Sequence, residues 1–124
     1  MSDRVSIALL IGEGATAVLD SFERLLWWLF AGSAGARTRA MVLTSIRQEP
    51  RNAQQLSLSL GLDYTTVRHH LKVLESNRLV ITEGEKYGRL YFLSENMEAH
   101  WDKLEAIISK SKGKENRKPG DSGR

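Results

Sequence analysis

Apolar residues recur along this chain first at helical spacing, then in two short β-prone runs, then at helical spacing again. Val5 to Ile11 is almost wholly apolar, and Gly12-Glu13-Gly14 interrupts it. Ala15 to Phe30 predicts a helix with Val18, Leu19, Phe22, Leu25, Leu26, Leu29 and Phe30 on one broad face. Asp20 and Arg24 lie opposite, Glu23 sits at the margin, and Trp27 and Trp28 fall on the polar side. Ala31 to Ala36 is a joint of small residues. Arg37 to Glu49 carries Met41, Val42 and Ile46 at helical spacing, and Pro50 stops that helix. Asn52 is placed to cap a short helix from Ala53 to Leu60, with Leu56 and Leu60 inward, and Gly61 supplies its left-handed end. Asp63 caps the next helix, spanning 64–77, in which Val67, Leu71 and Leu74 form a narrow apolar stripe.

Two β-prone runs follow, Leu79 to Thr82 and Arg89 to Leu93, joined by the polar loop Glu83-Gly84-Glu85-Lys86-Tyr87-Gly88. A last helix is predicted from Glu95 to Lys110, with Met97, Trp101, Leu104, Ile107 and Ile108 on one face. Ser111 to Arg124 holds Gly113, Pro119, Gly120 and Gly123 among alternating charges, a composition that predicts no packed structure. Helix, helix, helix, hairpin is the order of a winged helix. The expected fold is therefore mainly α with a small β-hairpin wing: a winged helix-turn-helix with extra N- and C-terminal helices. The expected division is an apolar helical extension over 1–36, the winged helix over 37–95, a C-terminal helix over 96–110 and a disordered basic tail over 111–124.

The chemistry lies on the outer face of the 64–77 helix, where Thr65, Thr66, Arg68, His69 and Lys72 point away from the stripe. A helix held by one thin edge, with donors and positive charge on the other, is shaped to enter a DNA major groove. Thr65, Thr66, Arg68 and His69 are placed to reach base edges, and Arg68 is the candidate for a bidentate contact to guanine. Tyr64 and Lys72 suit phosphates, as do Gln54 and Gln55 at the start of the preceding helix. In the wing, spanning 80–93, Lys86 and Arg89 with Tyr87 beside them would reach the backbone or the adjacent minor groove. His70 borders the stripe and reads more readily as a packing histidine.

Thr66-Val67-Arg68-His69-His70-Leu71-Lys72-Val73-Leu74-Glu75, followed by Leu79-Val80 and a wing ending in Tyr91-Phe92-Leu93, resembles the winged-helix repressors of the ArsR type and their archaeal relatives. The resemblance covers roughly residues 37 to 95. It implies a homodimer on double-stranded DNA at an inverted-repeat operator. Members of that family often sense metals through cysteines, or through His and Asp on the C-terminal helix. This chain has no cysteine, which removes a thiolate site, and its C-terminal stretch offers only His100 with Glu98 and Asp102 nearby. No metal, cofactor or effector is implied by these residues.

Charge sharpens the picture. The formal net charge is +3, but residues 1–36 carry two basic and four acidic residues, whereas 37–92 carry nine basic and five acidic. Residues 110–124 add six basic and two acidic. Positive charge thus gathers where DNA contact is expected. A nonspecific chromatin-type binder and a protein-interaction module are the alternatives; an interaction module would show apolar or acidic residues on the 64–77 face. An enzyme is not expected. Gly12-Glu13-Gly14 lacks the spacing of a phosphate loop, and the adjacent His69 and His70 diverge by about 100° on a helix, unsuited to chelating one metal.

The broad apolar face near the N-terminus predicts either a dimer contact or a membrane contact. The longest uncharged run there, Leu25 to Ala36, has 12 residues, short of the roughly 20 that span a bilayer, and the helix's polar side carries two acids and one Arg where an interfacial helix is rich in Lys and Arg. Dimerisation is the favoured reading, through Phe22, Leu25, Leu26, Trp28 and Leu29 together with Trp101, Leu104 and Ile108. Met1-Ser2-Asp3-Arg4 has no secretory character, so a cytoplasmic protein is expected.

Overall fold

The computed structural model describes residues 21–116. Helix α1 (Ser21–Trp27) passes into a π-helical turn (Trp28–Gly32), and α2 (Ala36–Gln48), α3 (Ala53–Leu60) and α4 (Tyr64–Ser76) follow. Strands β1 (Val80–Glu83) and β2 (Leu90–Leu93) precede α5 (Glu95–Ala99) and α6 (Trp101–Asn116). The strands pair antiparallel with Val80 opposite Leu93 and Glu83 opposite Leu90. Arg51, between α2 and α3, adds a single bridge to Tyr91 on the far side of β2, its carbonyl accepting the Tyr91 N–H at 2.9 Å. The expected winged helix, with its extra helices at both ends, is the fold observed.

The two caps form as their side chains dictate. Asn52 Oδ1 accepts the Gln55 N–H at 2.8 Å while Gln55 Oε1 accepts the Asn52 N–H at 2.9 Å, a reciprocal capping box for α3. Asp63 Oδ2 accepts the N–H groups of Thr65 and Thr66 and starts α4. Gly61, at φ +67°, closes α3 in the left-handed region. At the far end of α4 the same geometry falls on a side chain: Arg78 has φ +62°. Its N–H donates to the Glu75 carbonyl and that of Leu79 to the Leu74 carbonyl, both at 2.9 Å. This is a Schellman closure, and Leu74 and Leu79 complete it as fully buried neighbours.

One core joins all the elements. Leu26, Leu29 and Phe30 from the N-terminal side pack with Val42, Leu43 and Ile46 of α2, Val67, Leu71 and Leu74 of α4, and Met97, Trp101, Leu104 and Ile107 of α5 and α6. Each such side chain contributes about 1.5–3 kcal/mol on leaving water. From Phe22 to Phe30 the apolar face of the N-terminal helix therefore packs within its own chain. Of the residues expected at a dimer interface, Leu26, Leu29, Trp101 and Leu104 are buried in this core; Phe22, Leu25 and Ile108 are half-buried and Trp28 is 60% exposed. Lys103 Nζ lies 3.6 Å from Glu23 Oε1 and ties α6 to α1. Arg47 pairs with Glu98 at 3.3 Å and lies over the Trp101 ring at 4.7 Å.

Two boundaries differ from the sequence reading. The helix expected through Phe30 loosens into the π-helical turn after Trp27, because its last carbonyls find other donors. Arg39 donates to Leu29 O, and Ser33 Oγ to Trp28 O at 2.8 Å. The single C-terminal helix expected from Glu95 is broken at His100, whose ring Nδ1 donates to Asn96 O at 2.8 Å and whose N–H closes α5. Helix α6 then continues to Asn116, six residues into the stretch expected to be unstructured. The readings of Val5–Ile11 and Ala15–Asp20, and of residues 117–124, lie outside the described residues. Among the described residues no helix is long and apolar enough to cross a membrane.

Candidate nucleic-acid interface

Helix α4 buries Val67, His70, Leu71 and Leu74. At about 100° per residue, Tyr64, Arg68 and Glu75 then share the edge nearest the wing. Lys72 and Thr65 form the middle of the exposed face, and His69 and Thr66 lie toward the other edge. Tyr64, Thr65, Arg68, His69 and Lys72 are exposed, and Thr66 is half-buried.

The wing folds back toward Tyr64, Arg68 and Glu75 and leaves a cleft of about 780 Å³. Gln54, Tyr64, Arg68, Lys86, Tyr87 and Arg89, all expected from sequence to contact DNA, line it together. Tyr87 stands 87% exposed near the wing tip, and Arg89 Nη1 lies 3.5 Å from Thr82 Oγ1 on the paired strand. Gln55, Thr65, Thr66, His69 and Lys72 do not line the cleft. Gln55 has spent its carbonyl oxygen on the capping box and keeps only its amide N–H groups to offer.

Three residues have roles that the sequence reading did not give them. Tyr91 and Glu75 both line the cleft. Burial raises the Tyr91 hydroxyl pKa, while Arg68 lowers it, Glu75 raises it, Arg89 lowers it and Tyr64 raises it, so all four are electrostatically within reach of that hydroxyl. Glu75 was legible as the i+7 neighbour of Arg68; Tyr91 had only its place in an apolar strand. The third is Arg39, which counts as surface charge in the sequence but is 5% exposed. Its guanidinium donates to Leu29 O, to Ser33 Oγ at 3.1 Å and to Ala34 O at 3.1 Å, and burial lowers its pKa.

His70 faces Arg39. The ring is buried, and its Nδ1 has no hydrogen-bond partner among the described residues. Its pKa is lowered by burial first, then by the Arg39 charge and by His69. It is a packing histidine that joins the inner face of α4 to the joint before α2. Among the described residues no cluster of His, Asp or Glu is arranged to hold a metal ion. His100 packs against Phe22 at 4.8 Å between ring centres, and Glu98 pairs with Arg47.

Comparison with known proteins matches residues 37–82 to the model of the bacterial regulatory protein, arsR family. No curated protein matches the chain. Among solved structures, it is similar to a homodimeric winged helix-turn-helix DNA-binding domain from Mycobacterium bovis, a possible ArsR-family transcriptional regulator. That likeness has 20% identity and a TM-score of 0.54 over 86% of this chain and 94% of that one. The transcriptional regulator SlyA matches at 12% identity and a TM-score of 0.55, over 88% and 80%. AbfR of Staphylococcus epidermidis matches at 19% and 0.55, over 88% and 75%, and AbfR has also been solved bound to DNA. At these identities the structures speak to the fold, and it is the winged helix built above. Residues 37–82 are thus similar to the arsR family of bacterial regulatory proteins, and the likeness to solved structures gives the fold.

Proposed function

We propose that this protein is a homodimeric, sequence-specific DNA-binding transcriptional regulator of the cytoplasm, with no catalytic activity of its own. The observation that carries the reading is the convergence of Gln54, Tyr64, Arg68, Lys86, Tyr87 and Arg89 on one cleft beside the exposed polar face of α4. The arsR-family match, and the likeness to a homodimeric domain and to a regulator solved on DNA, support it. Residues 37–95 are the DNA-binding unit, with α1 and α6 packed on it.

Helix α4 enters the major groove. Arg68 takes a guanine edge, and Thr65, Thr66 and His69 meet neighbouring bases. Tyr64, Lys72, Gln54 and the Gln55 amide take phosphates on either side. Lys86, Tyr87 and Arg89 hold the backbone or minor groove beside them. A second copy docks on the surface around Trp28, with Phe22, Leu25 and Ile108 at its margins. The test is a salt titration of binding to genomic promoter fragments against random duplex, with the solution mass recorded beside it. A dimer that selects particular fragments and weakens steeply with salt is the expected result. Arg68→Ala should cost about 1–3 kcal/mol and relax sequence preference, whereas Lys86→Ala should weaken all duplexes alike. Absence of selectivity at every salt concentration would overturn the reading.

A further inference from the structure

Among the residues lining the cleft between α4 and the wing, Glu75 is the one acid, set among Tyr64, Arg68, Lys86, Tyr87 and Arg89. The side chain is exposed, and its carboxylate makes no ion pair or hydrogen bond among the described residues. It sits in the last turn of α4, which carries no basic residue and where the helix dipole favours a cation. A Lys or Arg there would suit both the helix end and a phosphate. Two helical turns separate it from Arg68, about 10 Å along the axis and on the same edge.

We propose that Glu75 is a specificity-determining residue that acts by repulsion: it denies phosphate a seat at the C-terminal end of α4. This rests on the DNA-binding reading above. Random duplex is held through its phosphates, so it settles on whatever positive charge the surface offers. Arg68, Lys86 and Arg89 offer charge at the N-terminal half of α4 and on the wing, and Glu75 removes the remaining position between them. A duplex read through Arg68 and Thr65 is fixed by its base edges at the N-terminal half and needs no phosphate near Glu75. The carboxylate therefore costs nonspecific binding more than specific binding, and the ratio between them widens.

The experiment measures affinity for a random duplex and for the best-bound promoter fragment, across salt, in the full chain and in Glu75→Gln and Glu75→Lys. Asp102→Asn on α6 removes an equal charge away from the cleft as a control. Glu75→Gln should tighten random duplex roughly three- to tenfold and the promoter fragment less. Glu75→Lys should go further in the same direction with a steeper salt slope, and Asp102→Asn should change neither. Thermal midpoints of both Glu75 variants, recorded beside the affinities, should stay well above the assay temperature, which keeps folding out of the comparison. Unchanged random-duplex affinity in Glu75→Gln, or weaker binding to both DNAs, would overturn the proposal while leaving the DNA-binding reading standing. Failure of the unmodified chain to bind any duplex at low salt would overturn both.

Discussion

Replacing Gly35 by alanine places one methyl group where the joint before α2 meets the inner face of α4. Gly35 has φ +80°, and a Cβ built there lies 2.7 Å from His70 Cε1 and 3.4 Å from Arg39 Nη2. The left-handed backbone alone costs an L-residue about 1–2 kcal/mol. The contact adds to that, because neither neighbour can give way freely. The His70 ring is buried on α4, and the Arg39 guanidinium is fixed by Leu29 O, Ser33 Oγ and Ala34 O. Overpacking of this kind costs about 1–3 kcal/mol, so Gly35→Ala should lose about 2–5 kcal/mol in all. Gly61→Ala separates the two contributions, since its φ is +67° and nothing stands within 4 Å of the added Cβ. It should lose only the backbone part. Urea unfolding of both variants, and of Gly35→Ala in a His70→Ala background, measures the difference. In that background the cost should fall toward the Gly61→Ala value. A Gly35→Ala cost equal to that of Gly61→Ala in the unmodified chain would refute the packing argument.

The other expectations concern a helix end, a proton and a surface. Arg78→Gly should stabilise the protein by about 1 kcal/mol in the same unfolding assay, because glycine holds φ +62° without the strain an arginine carries there; a loss of stability would count against the Schellman reading. His70 has its pKa lowered by burial, Arg39 and His69, so the unfolded chain takes up this proton first. Its stabilising effect is full above about pH 6.5 and is lost as pH falls from there through the folded-state pKa. Stability measured from pH 7.5 down to 5 should drop more in the unmodified chain than in His70→Gln, and parallel curves would sink this assignment. Trp28→Arg should leave folding intact and yield a monomer by light scattering. Leu26→Ala should cost about 2–5 kcal/mol of stability through its cavity; a Trp28→Arg protein that stays dimeric would move the interface elsewhere.

Periodicity and caps made the winged helix legible, since both are local. Asn52, Gly61 and Asp63 act within four residues of themselves, and the Val67, Leu71, Leu74 stripe needs only a helix to be read. What escaped was set by contacts distant in sequence or by a backbone without the usual residue. The left-handed end of α4 falls on Arg78, so no glycine announced it. The π-helical turn exists because Arg39, ten residues after Leu29, donates to the Leu29 carbonyl. From Phe22 to Phe30 wheel geometry gave the inward side of the N-terminal helix, but it carries no information on what covers that face. Its partners, α2 and α6, lie within the same chain. For the residues proposed to face DNA, the side chains of α4 and the wing were readable from the chain alone; the cleft that gathers them depends on how the hairpin folds back.

Charge shows the same division between what a count predicts and what a fold leaves available. Residues 37–92 hold nine basic side chains, and the structure turns several of them away from the surface proposed to meet DNA. Arg39 is buried on backbone carbonyls, Arg47 is engaged by Glu98 and the Trp101 ring, and Arg37 and Arg51 line a groove between α2 and α6 that does not include α4. Arg78 closes α4. Arg68, Lys72, Lys86 and Arg89 remain on the exposed face of α4 and the wing. On the proposed reading a homodimer then has about eight cations to set against phosphates, so log K should fall with log salt at a slope of about −7. A slope near −3 would mean that only one wing and helix touch the duplex. A slope well beyond −10 would bring in further cations, those of residues 110–124 among them. The salt titration thus tests the geometry as well as the activity, because each of the eight expected charges has a named side chain behind it.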